Sequence, residues 1–280
     1  MSLLKSLGKA GKSLGKAGAI ALFAFGLLAP IASAQTAPNS VIEEAKKRGK
    51  LQVGMASFIP WAMRDNKGNW VGFEIDVATK VAKDLGVELE LFPTAWDAII
   101  PTLLAGKFDT IIGGLSITPV RAEQVAFTNA YSTSGQGIAA SKKLAEKLKY
   151  PEDYNSAAVT LVCRRGAAPC KTATDLFPKA TVRQFDDDVI AFQEVMNGNA
   201  HAVITSEPKP TFFVLDNPDK LFLPAKQNVT TSTEGFALRK GDAASIAYFN
   251  DWIAKNETFL KERHTYWFKS RAWADQVPKS

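Results

Sequence analysis

The sequence predicts an α/β protein of two similar lobes, each a mostly parallel sheet flanked by helices. Three observations predict it. Two β-α-β-α-β series follow one another along the chain, one before and one after Tyr150-Pro151. Glycines stand where helices should stop, at Gly86, Gly106 and Gly198. A chain of 280 residues, 46% of them hydrophobic, also suits two compact lobes better than one.

The first series opens at residues 51–55, where apolar positions alternate with small or polar ones as in a half-buried strand. Phe73, Val77, Val81 and Leu85 recur four apart, marking one face of a helix that Gly86 closes. Val87, Leu89 and Leu91 alternate with Glu88 and Glu90, a period-two strand with one wet face. Thr94 reads as the cap of a second helix running to Leu104, which Gly106 ends. Residues 109–112 form a short strand that runs into Gly113-Gly114. This order predicts a parallel sheet with right-handed crossovers.

The second series repeats the pattern: a strand at 159–162, a turn at Gly166, a helix at 168–176 and a strand at 181–185. Asp186-Asp187-Asp188 reads as the cap and charged start of a helix, not as a metal site. Residues 202–205 complete the set. A strand at 234–238 then leads into an amphipathic helical region carrying Trp252, Phe259 and Trp267.

The N-terminus reads as a targeting segment. Lys-Ser-Leu-Gly-Lys-Ala-Gly occurs twice in tandem, at 5–11 and 12–18, an apolar run follows to Ile31, and Ala32-Ser33-Ala34 supplies small residues. That order predicts a signal peptide over 1–34 with cleavage after Ala34, and Pro30 and the shortness of the run argue against a membrane span. No later stretch is long or apolar enough to span, so the mature protein is expected to be soluble. The net charge of +6 overstates the basicity, since four of the 34 basic residues lie in this segment and 30 face 28 acids in the rest. No basic block stands out, which speaks against a nucleic-acid partner. Cys163 and Cys170 are the only cysteines, and their spacing fits no common zinc motif. In an oxidising compartment they are expected to form a disulfide, with free buried thiols the alternative.

In open α/β sheets, solutes sit beyond the carboxyl ends of strands. Three loops occupy such ends, at residues 56–61, 113–121 and 164–168, and they come from both series. A cleft between lobes is therefore expected. Within the second loop Thr118 suits an N-cap, Pro119 suits the first helical position, and Arg121 falls at N3. A guanidinium beside a helix start adds its planar fork to free backbone donors, a favourable seat for a carboxylate. On the residues alone, Arg121 also reads as a surface salt bridge, and Phe58 and Trp96 as core packing.

Four blocks carry a resemblance. Gly72-Phe73-Glu74-Ile75-Asp76-Val77 comes first, followed by Trp96-Asp97-Ala98-Ile99-Ile100-Pro101. Leu104-Ala105-Gly106-Lys107-Phe108-Asp109 and Gly114-Leu115-Ser116-Ile117-Thr118-Pro119-Val120-Arg121 complete the set. In this order they resemble family 3 extracellular solute-binding proteins of the amino-acid-binding type, the capture subunits of ABC importers. The resemblance implies a type II periplasmic-binding-protein clamp with two hinge strands. Lobe one would comprise residues 40–137 and 233–280, and lobe two residues 138–232.

It also implies roles for residues. Arg121 would hold the ligand's carboxylate, with Gly113, Gly114 and Ser116 offering partners at the same mouth. Gly166, Ala167 and Ala168 would reach that carboxylate through backbone amides. Phe58, next to Ser57, and Trp96 would sandwich the ligand's side chain, while Trp61, Asp76 and Asp97 read as structural. Ala56 stands where members selecting basic amino acids often carry an acid, which argues against a cationic ligand. Ser206 stands where the family places an Asp for the ligand's ammonium, and Glu207 follows it. Either Glu207 replaces the charge, or the ligand lacks a conventional α-amino group. Arg164 and Arg165 read as solvated, with a second carboxylate the alternative.

The expected function is capture of a small carboxylate, an uncharged or acidic amino acid, in the periplasm. Delivery would be to the permease subunits of an ABC transporter, by a monomer. No Ser-His-Asp set, metal cluster or cofactor fingerprint stands in the sequence, so no catalytic residue, metal or cofactor is expected. Two alternatives remain. Cyclohexadienyl or arogenate dehydratases share the fold, and Glu207 would then be the proton donor. A receptor's ligand-sensing domain is the other.

Overall fold

The computed structural model describes residues 40–278; the signal peptide expected at 1–34 lies outside the described residues. Helix α1 (Val41–Arg48) ends at Gly49 in the left-handed conformation and feeds β1 (Lys50–Met55). Leu51, Val53 and Met55 are fully buried, so the alternation read from the sequence does set the inward face. A ribbon of β2 (Met63–Arg64) and β3 (Trp70–Val71) precedes α2 (Phe73–Leu85), which Gly86 terminates at φ 77°. After it come β4 (Glu88–Pro93), α3 (Ile99–Leu104), β5 (Thr110–Ile111), α4 (Pro119–Ala122) and β6 (Ala126–Phe127).

The long strand β7 (Ser132–Ser141) carries the chain into a second sheet. There α5 (Lys142–Ala145), β8 (Thr160–Arg164), α6 (Ala168–Leu176), β9 (Thr181–Phe185) and α7 (Asp188–Asn197) follow. The series closes with β10 (Ala202–Ser206), α8 (Lys209–Asp216) and β11 (Leu221–Phe222). Strand β12 (Thr230–Glu234) returns antiparallel along β7, from Gln136 opposite Thr230 to Ser132 opposite Glu234. Finally β13 (Ala237–Leu238), α9 (Ala243–Lys255) and α10 (Glu257–Thr265) rejoin the first sheet.

The first sheet has the order β4-β1-β5-β13-β6, parallel from β4 to β5 and antiparallel at β13. The second has the order β11-β7-β10-β8-β9, parallel from β10 through β9 and antiparallel at β7. This is a mixed α/β two-lobe clamp, with β7 and β12 as its two crossing strands. Trp252, Trp267 and Phe268 pack in one core with Phe73, Val77 and Leu51, so the helical tail covers the first sheet. Its last turn reaches further: Arg271 pairs with Asp216 at 2.8 Å and Trp273 meets Phe212 edge-on, both on α8. Among the described residues, no helix is long and apolar enough to cross a membrane.

Two local readings need correction and a third needs an addition. Thr94 does not cap a helix; its hydroxyl donates to the Phe92 carbonyl, and a tight turn at Trp96–Ala98 leads into α3 instead. The strand expected at 234–238 splits in two, because Gly235 and Phe236 carry the chain from β12 on the second sheet to β13 on the first. The aspartate triplet does start a helix, with Asp187 accepting from the Val189 amide, yet Asp188 is buried and has other partners.

Candidate functional site

The ends of β5, β8 and β10 bring residues of both lobes to one cavity of about 30 Å³. That is room for a water or two, so any larger solute requires the lobes to part. Arg121 forms the centre of its first wall. Thr118 caps α4 by accepting from the Arg121 amide at 3.4 Å, as its position predicts. This aims the guanidinium inward, where it donates to the Ser116 carbonyl at 3.0 Å and, across the cleft, to the Gly166 carbonyl at 3.0 Å. Among the described residues no carboxylate lies within salt-bridge distance of it. Burial, and then the neighbouring Arg164 charge, pull its pKa down to about 10. Leaving a buried cation unpaired is expensive, so this side chain is poised for an anion.

Several expected partners also line the cavity: Gly113, Gly114, Ser116, Ala167, Ala168 and Ser206. Two of their amides are already engaged. The Gly114 amide donates to the Tyr131 hydroxyl, and the Ala167 amide to the Arg164 carbonyl. Pro169 has none to offer, which leaves Ala168, first in α6, with an amide free of an intrahelical acceptor. Gly114 adopts φ +68°, and a Cβ there would sit 2.5 Å from the Trp61 ring, so only glycine fits. Trp61 itself is buried between Phe58 and Phe268, and it also lines the cavity. Asp76 is likewise structural, accepting from Arg263 and Trp267.

The second wall departs from the solvated reading of Arg164. Its guanidinium carbon lies 4.9 Å from the Phe58 ring and 4.7 Å from the Trp96 ring, over the two rings expected to hold the ligand. It is 6% exposed and donates across the cleft to the Ser57 carbonyl at 3.1 Å. Ser57 thereby takes part through its backbone, while its side chain is outside the cavity lining. Behind Arg164, Asp188 accepts from the Thr205 hydroxyl at 2.9 Å, 3.5 Å from Arg164 and 3.7 Å from Lys209. Arg165 does face solvent and pairs with Asp186.

Glu207 is not at the cavity. Its carboxylate accepts from the Thr211 hydroxyl and packs over Gly137, and burial raises its pKa. Sequence reasoning missed Asp188 and Lys209 as neighbours of the site; both open helices after loops, a position that only in retrospect signals a cleft. Glu234 also lines the cavity, accepting from the Ser132 and Ser134 hydroxyls where β7 and β12 cross. Beneath the first wall, the Tyr131 hydroxyl donates to a fully buried Glu74. Cys163 and Cys170 are bonded, tying β8 to the first turn of α6 beside the Gly166 loop. Among the described residues no group of three metal-ligating side chains occurs.

A model of the bacterial extracellular solute-binding proteins, family 3, matches residues 51–270. The L-cystine-binding protein of Escherichia coli K12 is 26% identical over 243 residues, 86% of this chain and 90% of that protein. The cyclohexadienyl dehydratase of Pseudomonas aeruginosa is 25% identical over 252 residues, 89% and 94% of the two chains. Among solved structures, an ancestral amino-acid-binding protein described as a precursor of cyclohexadienyl dehydratase aligns at 36% identity. Its TM-score is 0.75, with 82% of this chain and all of that one covered. The arginine-bound form of a truncated ArgBP from T. maritima aligns with TM-score 0.70 at 33% identity, covering 76% and 99%.

Proposed function

The chain belongs to the bacterial extracellular solute-binding proteins of family 3, and on that premise we propose that it captures a small carboxylate-bearing solute in the periplasm. The solute is an uncharged or acidic amino acid or a related carboxylate, handed to the permease of an ABC importer when the clamp closes. Lobe one comprises residues 40–137 and 233–280, lobe two residues 138–232. The observation that carries this reading is Arg121: buried, aimed at the cavity, and bonded only to carbonyls. A solute carboxylate supplies the charge it lacks.

The relatives leave charge selectivity open, since several solved neighbours are described as arginine-bound, as complexed with lysine or as binding cationic amino acids. Here a cationic side chain would meet Arg164 and Lys209, both buried beside Phe58. Like charges at such range repel strongly where water is scarce. We therefore place basic amino acids outside the solute class.

The dehydratase relative supports a second reading, with prephenate or arogenate as substrate. Its proton donor would have been Glu207, whose carboxylate is turned to Thr211. Incubation with either compound and detection of product separates an enzyme from a carrier. For the carrier, calorimetry with amino acids and dicarboxylates should give saturable binding. Arg121→Ala should keep the melting temperature within a few degrees yet weaken binding by about 2–5 kcal/mol, since a desolvated carboxylate loses its charged partner. Unchanged affinity would show that Arg121 is not the carboxylate seat.

A further inference from the structure

We infer that the cleft holds a second anion seat, formed by Arg164 with Lys209 behind it, so that the favoured solute carries an anionic group at each end. The inference rests on the reading that Arg121 takes the first carboxylate.

The charges around the cavity do not balance. Arg164, Lys209 and Asp188 are 6%, 2% and 1% exposed, so all three are cut off from water. Asp188 Oδ2 stands 3.5 Å from Arg164 and 3.7 Å from Lys209, too far for a good hydrogen bond, and it has no hydrogen-bond partner. Asp187 attracts both cations and Asp97 attracts Arg164 from beyond salt-bridge distance, so at contact range one carboxylate is shared by two cations and properly satisfies neither. Arg164 Nε is also buried without an acceptor. Arg121 has no carboxylate at all among the described residues. Glu234, the other acid lining the cavity, is engaged with Ser132 and Ser134, and burial favours its neutral form.

The geometry turns this surplus into a recognition element. Both guanidinium groups lie over Trp96, Arg121 at 5.8 Å and Arg164 at 4.7 Å from the ring centroid, but they come from opposite lobes. A short solute anchored on Arg121 therefore presents its far end to Arg164. Lys209, 4.7 Å from the Phe58 ring, adds charge from behind without entering the cavity. Ser206, which stands where the resemblance places a carboxylate for the ammonium, contributes no negative charge. A diacid neutralises both seats, whereas a zwitterion with a neutral side chain neutralises one.

The competing assignment makes Asp188 the acceptor for a solute ammonium, with Arg164 and Lys209 as bystanders. The two predict opposite outcomes. Calorimetry on the secreted mature protein should use three- to six-carbon dicarboxylates, L-aspartate and L-glutamate, their amides L-asparagine and L-glutamine, and L-arginine. The tightest probe should be a diacid, favoured over its own amide by at least ~30-fold. Arg164→Gln, which also loses the bond to the Ser57 carbonyl, should weaken both probes but the diacid at least ~10-fold more than its amide, so that most of the preference disappears. Lys209→Met should act in the same direction. Arg121→Ala should weaken acid and amide alike.

A best probe with one carboxylate, or a diacid preference that survives Arg164→Gln, overturns the second seat and leaves the Arg121 reading standing. Should L-arginine bind best and Asp188→Asn abolish it, Asp188 is the ammonium acceptor and the inference is wrong. If no carboxylate binds, the proposed function falls first.

Discussion

At the scale of single residues, Glu74 carries a consequence that its distance from the cavity hides. It is fully buried, accepts from Tyr131, and lies near Glu234. Burial, more than the Glu234 charge, raises its pKa from the ordinary 4.5 to about 8. The folded state thus holds a proton that the unfolded chain releases near 4.5. Its contribution is fully present below that pH and is lost as the pH rises toward 8. With each pKa unit worth about 1.4 kcal/mol, the loss amounts to a few kcal/mol. Thermal melts from pH 5 to 8.5 should show a falling midpoint. Glu74→Gln, neutral throughout, should flatten the fall; an identical slope in the variant would assign it elsewhere.

Among the elements, the joint between β8 and α6 bears most on binding. The Gly166 turn sits there, with φ +71° and a position for a Cβ only 3.0 Å from the Asp97 Cα. The Cys163–Cys170 disulfide closes a loop of seven residues' separation around it. A loop this short should stabilise the fold by only ~2–3 kcal/mol. On the proposed function its larger effect would be to hold the Gly166 carbonyl and the Ala168 amide in place before solute arrives. Replacing both cysteines by serine should lower the unfolding free energy measured in urea by that amount and also weaken solute binding, beyond what Arg165→Ala does on the exposed side of the same loop. Full affinity in the double serine variant would reduce the bridge to a stability element.

For the whole molecule, among the described residues the hydrogen bonds from Arg121 to the Gly166 carbonyl and from Arg164 to the Ser57 carbonyl bridge the lobes at the cavity, while Arg271 pairs with Asp216 away from it. The first two involve the cations assigned to the solute. On the proposed function, a solute touching both lobes would favour their approach, with the paired strands β7 and β12 as the connection about which they would move. Small-angle scattering should therefore show a smaller radius of gyration on saturation with the best probe. Solute at about 100 times its Kd should also add about 2.7 kcal/mol of stability. An unchanged radius would argue against a closing clamp.

The sequence by itself determined the local grammar of this protein. Helix α2 with its Gly86 stop, helix α6, strand β9 and the Thr118 cap all stand where periodicity, glycine placement and capping chemistry put them. Such signals are legible because they depend on residues within one or two turns of each other. The disulfide was legible for a similar reason, there being only two cysteines. What only the tertiary structure decided is the electrostatic character of the cleft. Arg164 looks like any loop arginine until Ser57, 107 residues away, and Asp188 close over it. Glu207 reads as a replacement charge until Thr211 and Gly137 are seen to hold it. Burial and charge pairing depend on groups that the fold brings together from distant positions, and they, not local propensity, decide which ionised side chains face a solute.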